Sequence, residues 1–304
     1  VLTVDSKLIQ DYINYVKVIQ GKSKGTVKEY KYDLKMFMKF LKLQNKVENA
    51  KSEDDMLKQV TLNDIYDFLA YLEREKSYSA STRARKIASL KSFYKYLFKM
   101  KIISNNPTLE LENPKIPKRL PVYLNFNQSQ QLLNTVYNTR DYAILTLFLN
   151  CGLRLSELVN INIDDIKEDS LTVIGKGNKE RIIYLNKSSK EAIKNYLKIR
   201  PEVNTKALFV SNRGKRISNR TVQTMIKKYC AKAGIKNCSV HKLRHTAATL
   251  MYLNGVDIRL LQEILGHCNI STTQIYTHVD KQKLKDAINK NPLNLQINKE
   301  EEEV

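Results

Sequence analysis

All four histidines of the chain, His241, His245, His267 and His278, fall between Ser239 and Asp280. Arg244, Arg259 and Tyr276 lie in the same stretch, and Arg154 and Lys176 precede it. Histidine titrates near neutral pH, so gathering every copy in one segment points to a site. The set offers a hydroxyl nucleophile beside several cationic or hydrogen-donating groups. Phosphate chemistry needs such a set: an attacking oxygen, positive charge for the phosphoryl oxygens, and a proton for the departing oxygen. Arginine suits the non-bridging oxygens because its planar fork donates two parallel bonds.

Zinc is the rival reading. Cys238-x2-His241-x3-His245, with His267-Cys268, contains metal-ligating residue types. Lys242 and Arg244 are interleaved among them, and no CxxC pair completes a tetrahedral set. No metal is therefore expected.

The elements that must hold these residues can be read from periodicity and punctuation. SLTVI (170–174) and RIIYL (181–185), joined by GKGNKE, predict a β-hairpin with Lys176 at its tip. RDYAILTLFLN (140–150) is apolar nearly all round and predicts a central helix, ended by Cys151-Gly152 just before Arg154. After the hairpin, KSSKEAIKNYLKIR reads as a helix, LFVS as a third short strand, and RTVQTMIKKYCAKAG as a helix stopped by Gly234. Further helices are predicted from His241 to Leu253 and from Ile258 to Leu265, the second ended by Gly266. KQKLKDAINK is amphipathic, and an acidic tail follows it.

The first hundred residues read as four helices. Leu8, Ile9, Tyr12, Ile13, Val16 and Ile19 form one helical stripe, broken at Gly21 to Gly25, with Thr26 capping the second helix. Thr61 with Asp64 resembles a capping box for the third. The fourth begins near Ser81 and buries Ile87, Leu90, Phe93, Tyr94 and Leu97, leaving a face of Arg83, Arg85, Lys86, Lys91, Lys95 and Lys99 for a phosphate backbone or a major groove. Residues 105–121 hold four of the six prolines and predict an extended basic linker with Lys115, Lys118 and Arg119. The expected organisation is a helical DNA-binding domain (1–104), this linker (105–121), a catalytic domain (122–290) and a tail (291–304).

Charge supports a nucleic-acid partner. The chain carries 52 Lys and Arg against 31 Asp and Glu, a net charge of +21 with a pI near 9.6. Residues 1–104 alone hold 21 basic and 12 acidic side chains, so both halves are basic. A surface this positive repels itself unless it meets a polyanion. Four cysteines without a CxxC pair show no disulfide framework, which favours a reducing compartment. No apolar leader and no apolar run of about 18 residues is present, so no secretion signal or membrane span is expected. The expected location is the cytoplasm, at the nucleoid.

Four motifs in order, GLRLSEL, GKGNKER, HKLRH and LGH followed by Tyr276 nine residues after His267, resemble the tyrosine recombinase (lambda-integrase) family. The likeness covers nearly the whole chain and is greatest to the short, two-domain Xer-like members. The resemblance implies a mainly α fold with a small β-sheet: a helical SAM-like domain, then a mixed α/β catalytic domain. It implies Tyr276 as nucleophile through a 3′-phosphotyrosyl intermediate, Arg154 and Arg244 as phosphate clamps, and Lys176 as general acid. His241 would accept a proton or donate a hydrogen bond, His267 would donate to a phosphate oxygen, and Glu157 would brace the pocket. Lys179 and Arg181 would contact backbone phosphates, and His245 and His278 would pack. The family uses no metal or nucleotide cofactor. Its partners are double-stranded DNA with an inverted-repeat core site and other protomers, as a homo-tetramer or a hetero-tetramer with a related recombinase. A type IB-like topoisomerase, or a non-catalytic DNA-binding regulator on the same fold, are the alternatives.

Overall fold

The computed structural model describes residues 6–44, 50–115, 122–175 and 180–266. Lys118, Arg119, Lys176, Lys179, His267, Tyr276 and His278 lie outside them. The chain divides into two compact units, 1–118 and 119–304.

The first unit is helical: α1 (Lys7–Val18), α2 (Lys24–Leu43), α3 (Glu53–Gln59), α4 (Leu62–Arg74) and α5 (Ala80–Lys99). Serine or threonine caps each one, because a short hydroxyl can satisfy an amide that the first turn leaves unpaired. The Thr61–Asp64 capping box forms as expected. Two boundaries differ from expectation. Ser23, not Thr26, caps α2, so Gly25 sits in its first turn. Helix α3 is an addition to the four expected helices: its seven residues, EDDMLKQ, are mostly polar and bury only Leu57, too little for an apolar stripe. The core joins Tyr12, Phe37, Phe68, Phe93 and Leu97 from four helices.

Helix α5 also corrects the expected basic face. Lys86 is 1% exposed and its Nζ donates to the Asp33 carboxylate at 2.8 Å. Arg85 grips the same carboxylate with two bonds of 2.5 and 2.9 Å, and Ser89 Oγ donates to it at 2.7 Å. Lys86 precedes Leu90 by four residues and Phe93 by seven, so helical geometry puts it on the buried stripe. A buried ammonium needs a counter-charge, and Asp33 supplies it. Lys91 Nζ donates to the Leu111 carbonyl at 2.6 Å and so fastens the start of the proline-rich stretch to this unit.

The second unit begins with α6 (Phe126–Asn134) and α7 (Thr139–Cys151), followed by α8 (Leu155–Asn160). Strands β1 (Ser170–Ile174) and β2 (Glu180–Tyr184) pair antiparallel, with Val173 opposite Arg181. Helices α9 (Lys187–Ile199), α10 (Asn219–Lys232), α11 (Val240–Leu253) and α12 (Ile258–Leu265) complete it. Helix α7 is buried on nearly every side, as its composition requires. The LFVS run is not a strand of the sheet: Ala207 and Val210 make only isolated bridges, to Asn162 and Arg216. Its apolar residues are buried, and burial rather than pairing explains the pattern. Cys230, at the end of α10, forms a disulfide with Cys238, just before α11, against the expectation of free thiols. The turn at Gly234 brings together two cysteines whose eight-residue spacing carries no motif. Among the described residues no helix is long and apolar enough to cross a membrane.

Candidate active site

The site is built on the breaks between helices. Gly152 ends α7 in the left-handed conformation at φ +59°, and a Cβ there would meet Leu265 Cδ2 at 2.9 Å. Gly266 ends α12 in the same way, φ +60°, and its Cβ would sit 2.9 Å from Arg181 Cδ. Both positions thus need glycine for conformation and for space. They let the start of α8, the strand β2 and the end of α12 close on one another.

At the centre of this junction is Glu157, 1% exposed. Its carboxylate accepts from Arg154 Nη1 at 2.6 Å, from the Arg154 backbone amide at 2.7 Å, and from Arg181 Nη2 at 2.8 Å. Arg244 Nη1 stands 3.9 Å from it. Burial by itself raises the Glu157 carboxyl; the bonds from Arg181 and Arg154 outweigh that and hold it below its ordinary value.

The same three arginines cap α12. A helix leaves its last carbonyls without partners and with partial negative charge. The Gly266 amide serves the Gln262 and Glu263 carbonyls. The next three carbonyls each accept from one arginine: Ile264 from Arg181 Nη1, Leu265 from Arg244 Nη2 at 2.5 Å, and Gly266 from Arg154 Nη2 at 2.8 Å. Arg244 Nη1 also donates to the Gly152 carbonyl at 2.6 Å. The residue that follows this capped end is His267.

Arg154, His241 and Arg244 line one cavity of about 470 Å³. His241 is exposed in the first turn of α11, and the Arg154 side chain is 30% exposed. Two charged or polar side chains that the sequence did not single out, Gln223 and Lys227 of α10, share the wall. Such an opening can accept a phosphate-sized anion against two guanidinium groups and an imidazole. His245 faces inward from α11, half-buried; burial first, then the charges of His241 and Arg244, pushes it below the ordinary histidine value. It fits the packing role expected of it. Cys238 is committed to its disulfide, and among the described residues no cluster of three or more His, Cys, Asp or Glu could hold a metal.

Arg181, expected on a DNA backbone, turns inward instead, with its side chain 13% exposed. The alternation of a strand could have shown this: Arg181 shares a face with Ile183 and Leu185, both buried. Arg83 donates to the Tyr78 carbonyl and pairs with Glu73. Lys95 is exposed on α5. Lys118, Arg119, Lys176, Lys179, His267 and Tyr276 were named from sequence and lie outside the described residues.

Fold and site together define an enzyme class that works on DNA phosphodiesters, and sequence comparison agrees. Residues 122–283 match the phage integrase family and residues 9–101 match the phage integrase N-terminal SAM-like domain; the chain belongs to this family. Within it the chain is a site-specific tyrosine recombinase, most like the Xer members. It is 52% identical to tyrosine recombinase XerC of Caldanaerobacter subterraneus, over 94% of this chain and 87% of that protein. It is 38% identical to XerA of Pyrococcus horikoshii, over 94% of each. A crystal structure of XerA recombinase matches with 32% identity and a TM-score of 0.52, over 94% of this chain and 98% of that one. XerH bound to palindromic difH substrate has the same fold, with a TM-score of 0.70 at 21% identity, over 93% and 94%.

Proposed function

We propose that Tyr276 is the nucleophile of this recombinase and that Arg154, Lys176, His241, Arg244 and His267 complete its machinery, with Glu157 bracing the pocket. The Tyr276 oxygen bonds to the scissile phosphorus as the bond from phosphorus to the 5′ oxygen breaks. The phenol proton passes to His241, and the Lys176 ammonium gives a proton to the 5′ oxygen. Arg154, Arg244 and His267 offset charge on the non-bridging oxygens. The phosphotyrosyl bond conserves the energy of the phosphodiester, so attack by a 5′ hydroxyl of the partner strand rejoins DNA and regenerates Tyr276.

The observation that carries this reading is the convergence of Arg154, Arg244 and His241 on one cavity above a buried Glu157. For the first unit, DNA contacts fall to Arg83, Arg85, Lys91 and Lys95, with Lys118 and Arg119 in the linker and Lys179 beside Lys176. A cleft of about 510 Å³ lined by Lys22, Lys91, Lys95 and Lys99 supports such a surface. The division proposed is a DNA-binding domain to residue 104, a linker to 121, a catalytic domain to 290, and a tail. The palindromic substrate of XerH supports the inverted-repeat site, and the family resemblance supports assembly of four protomers, of this chain alone or with a related recombinase. Work on such DNA supports a location in the cytoplasm, at the nucleoid.

The test is covalent capture. The full chain is mixed with sheared genomic DNA, denatured, and the attached DNA sequenced, with Tyr276→Phe as control. An adduct at one short inverted repeat, lost in Tyr276→Phe, is the expected result. Adducts scattered without sequence preference mean a topoisomerase, and no adduct on any DNA overturns the catalytic assignment.

A further inference from the structure

We infer that Arg181 is a positioning residue for strand cleavage: by neutralising Glu157 it keeps that carboxylate from drawing Arg244 out of its setting at the pocket. The inference rests on the phosphate-pocket reading above and goes beyond it, because Arg181 itself touches neither the cavity wall nor, in this reading, the DNA.

Three observations carry it. Glu157 is a full negative charge in a buried place between three guanidinium groups. Its two oxygens are shared unequally: Arg154 takes Oε1 at 2.6 Å, Arg181 takes Oε2 at 2.8 Å, and Arg244 stays at 3.9 Å. Arg181 is thus the cation bonded to Oε2, while Arg244 Nη1 donates to the Gly152 carbonyl at 2.6 Å and meets Glu157 only as an ion pair at 3.9 Å. Second, Arg181 is enclosed rather than solvated. Its Nε is buried without a partner, and its Cδ and Nε pass within 2.9 and 3.3 Å of the space a Cβ on Gly266 would fill. A side chain threaded past a left-handed glycine is fixed in one course. Third, the Arg181 bond to the Ile264 carbonyl begins the series of three arginine-capped carbonyls that ends α12. Arg181 is the member of that series that comes from β2.

Removing Arg181 leaves Oε2 with the Arg154 backbone amide and the 3.9 Å ion pair to Arg244, a buried carboxylate without a bonded cation on that oxygen. Arg244 is the nearest candidate, and its Nη1 can approach Oε2 only at the expense of its bond to the Gly152 carbonyl. The guanidinium that should meet a phosphate then faces a carboxylate. The pocket, with three positive groups around one negative, also loses one positive charge. The defect is electrostatic and local, so it must depend on the charge of the scissile group and on the charge of Glu157.

Both dependences can be measured with the full chain on a nicked suicide substrate that traps cleavage. One substrate carries an ordinary scissile phosphodiester and the other a methylphosphonate, whose missing non-bridging charge needs no cation. Wild-type protein and Tyr276→Phe are run beside the variants, so failure of the nucleophile assignment shows up separately as wild-type protein that cleaves neither substrate. Arg181→Ala should lose cleavage of the phosphodiester on the order of 10²-fold, the size of one lost electrostatic donor. Its loss on the methylphosphonate should stay within about 3-fold on the same principle, and its binding to uncleaved DNA should match wild type. Adding Glu157→Gln to Arg181→Ala should recover at least about 10-fold of the phosphodiester rate, because the amide no longer competes for Arg244. Arg181→Lys, which keeps the charge and folds under milder strain, should lie between the two. Equal losses on both substrates, or a double variant no better than Arg181→Ala, would overturn the inference and leave Arg181 as a support of the fold alone.

Discussion

Lys86 separates two uses of a basic residue, and its replacement by methionine tests which one the fold has chosen. Methionine keeps most of the buried stem but removes the ammonium. Asp33 then retains two bonds from Arg85 and one from Ser89, so it is not left bare. The loss is one bond to a buried charged group, about 2–3 kcal/mol. Asp33→Ala does more harm. It leaves an ammonium at 1% exposure with only the Tyr32 and Tyr78 rings, 5.2 and 5.3 Å away, and should cost about 3–5 kcal/mol. Replacing both, as Lys86→Met with Asp33→Leu, should cost less than Asp33→Ala alone, since Arg85 is 41% exposed and can turn to water. The assay is urea unfolding of the full chain followed by circular dichroism. With a slope of about 1.5 kcal/mol/M, a loss of about 3 kcal/mol moves the midpoint by about 2 M. DNA affinity is measured over a range of salt in parallel. A phosphate contact would lower the slope of log K against log salt by about 0.9, whereas Lys86→Met should leave it unchanged. An unmoved urea midpoint together with a shallower salt slope would refute the buried-pair account.

Gly266→Ala places a methyl 2.9 Å from Arg181 Cδ in a left-handed backbone. It should cost about 1–2 kcal/mol for the backbone, with strand cleavage falling further than the melting temperature suggests. The depressed His245 value makes the folded state bind fewer protons than the unfolded one below the ordinary 6.5. Stability is therefore full above about that pH and falls as acid is added until the depressed folded value is passed, and His245→Gln should flatten this slope in a melting series. Glu157, also depressed, adds a second loss only below the ordinary 4.5. Alkylation in denaturant without reductant should leave Cys230 and Cys238 unlabelled, and labelling of both would mean that the thiols are free.

The helices were legible because their signals are local. Ser79 and Thr61 cap where a hydroxyl can reach an amide three residues on, and the stripe from Leu8 to Val16 repeats at the helical period. The grouping of Arg154, His241 and Arg244 around one cavity was legible too, since they stand in motifs with fixed spacing. Two inward turns are written in the periodicity as well: Lys86 sits on the stripe of Leu90 and Phe93, and Arg181 on the face of Ile183 and Leu185. The LFVS run has strand composition without strand pairing, because an apolar run can be buried without a ladder.

Other features had no local signal. Which acid neutralises Lys86 is decided by the packing of α2 on α5, 53 residues apart in sequence. That one carboxylate would gather Arg154 and Arg181, and that Arg181, Arg244 and Arg154 would cap successive carbonyls of one helix, depends on three separate elements meeting at Gly152 and Gly266. The sequence by itself determined the motifs in which Arg154, Glu157, His241 and Arg244 stand and most of the helices around them, because spacing and capping act over a few residues. Only the tertiary structure decided where each charge is spent, because a buried ion must take its partner from whatever element packing brings alongside.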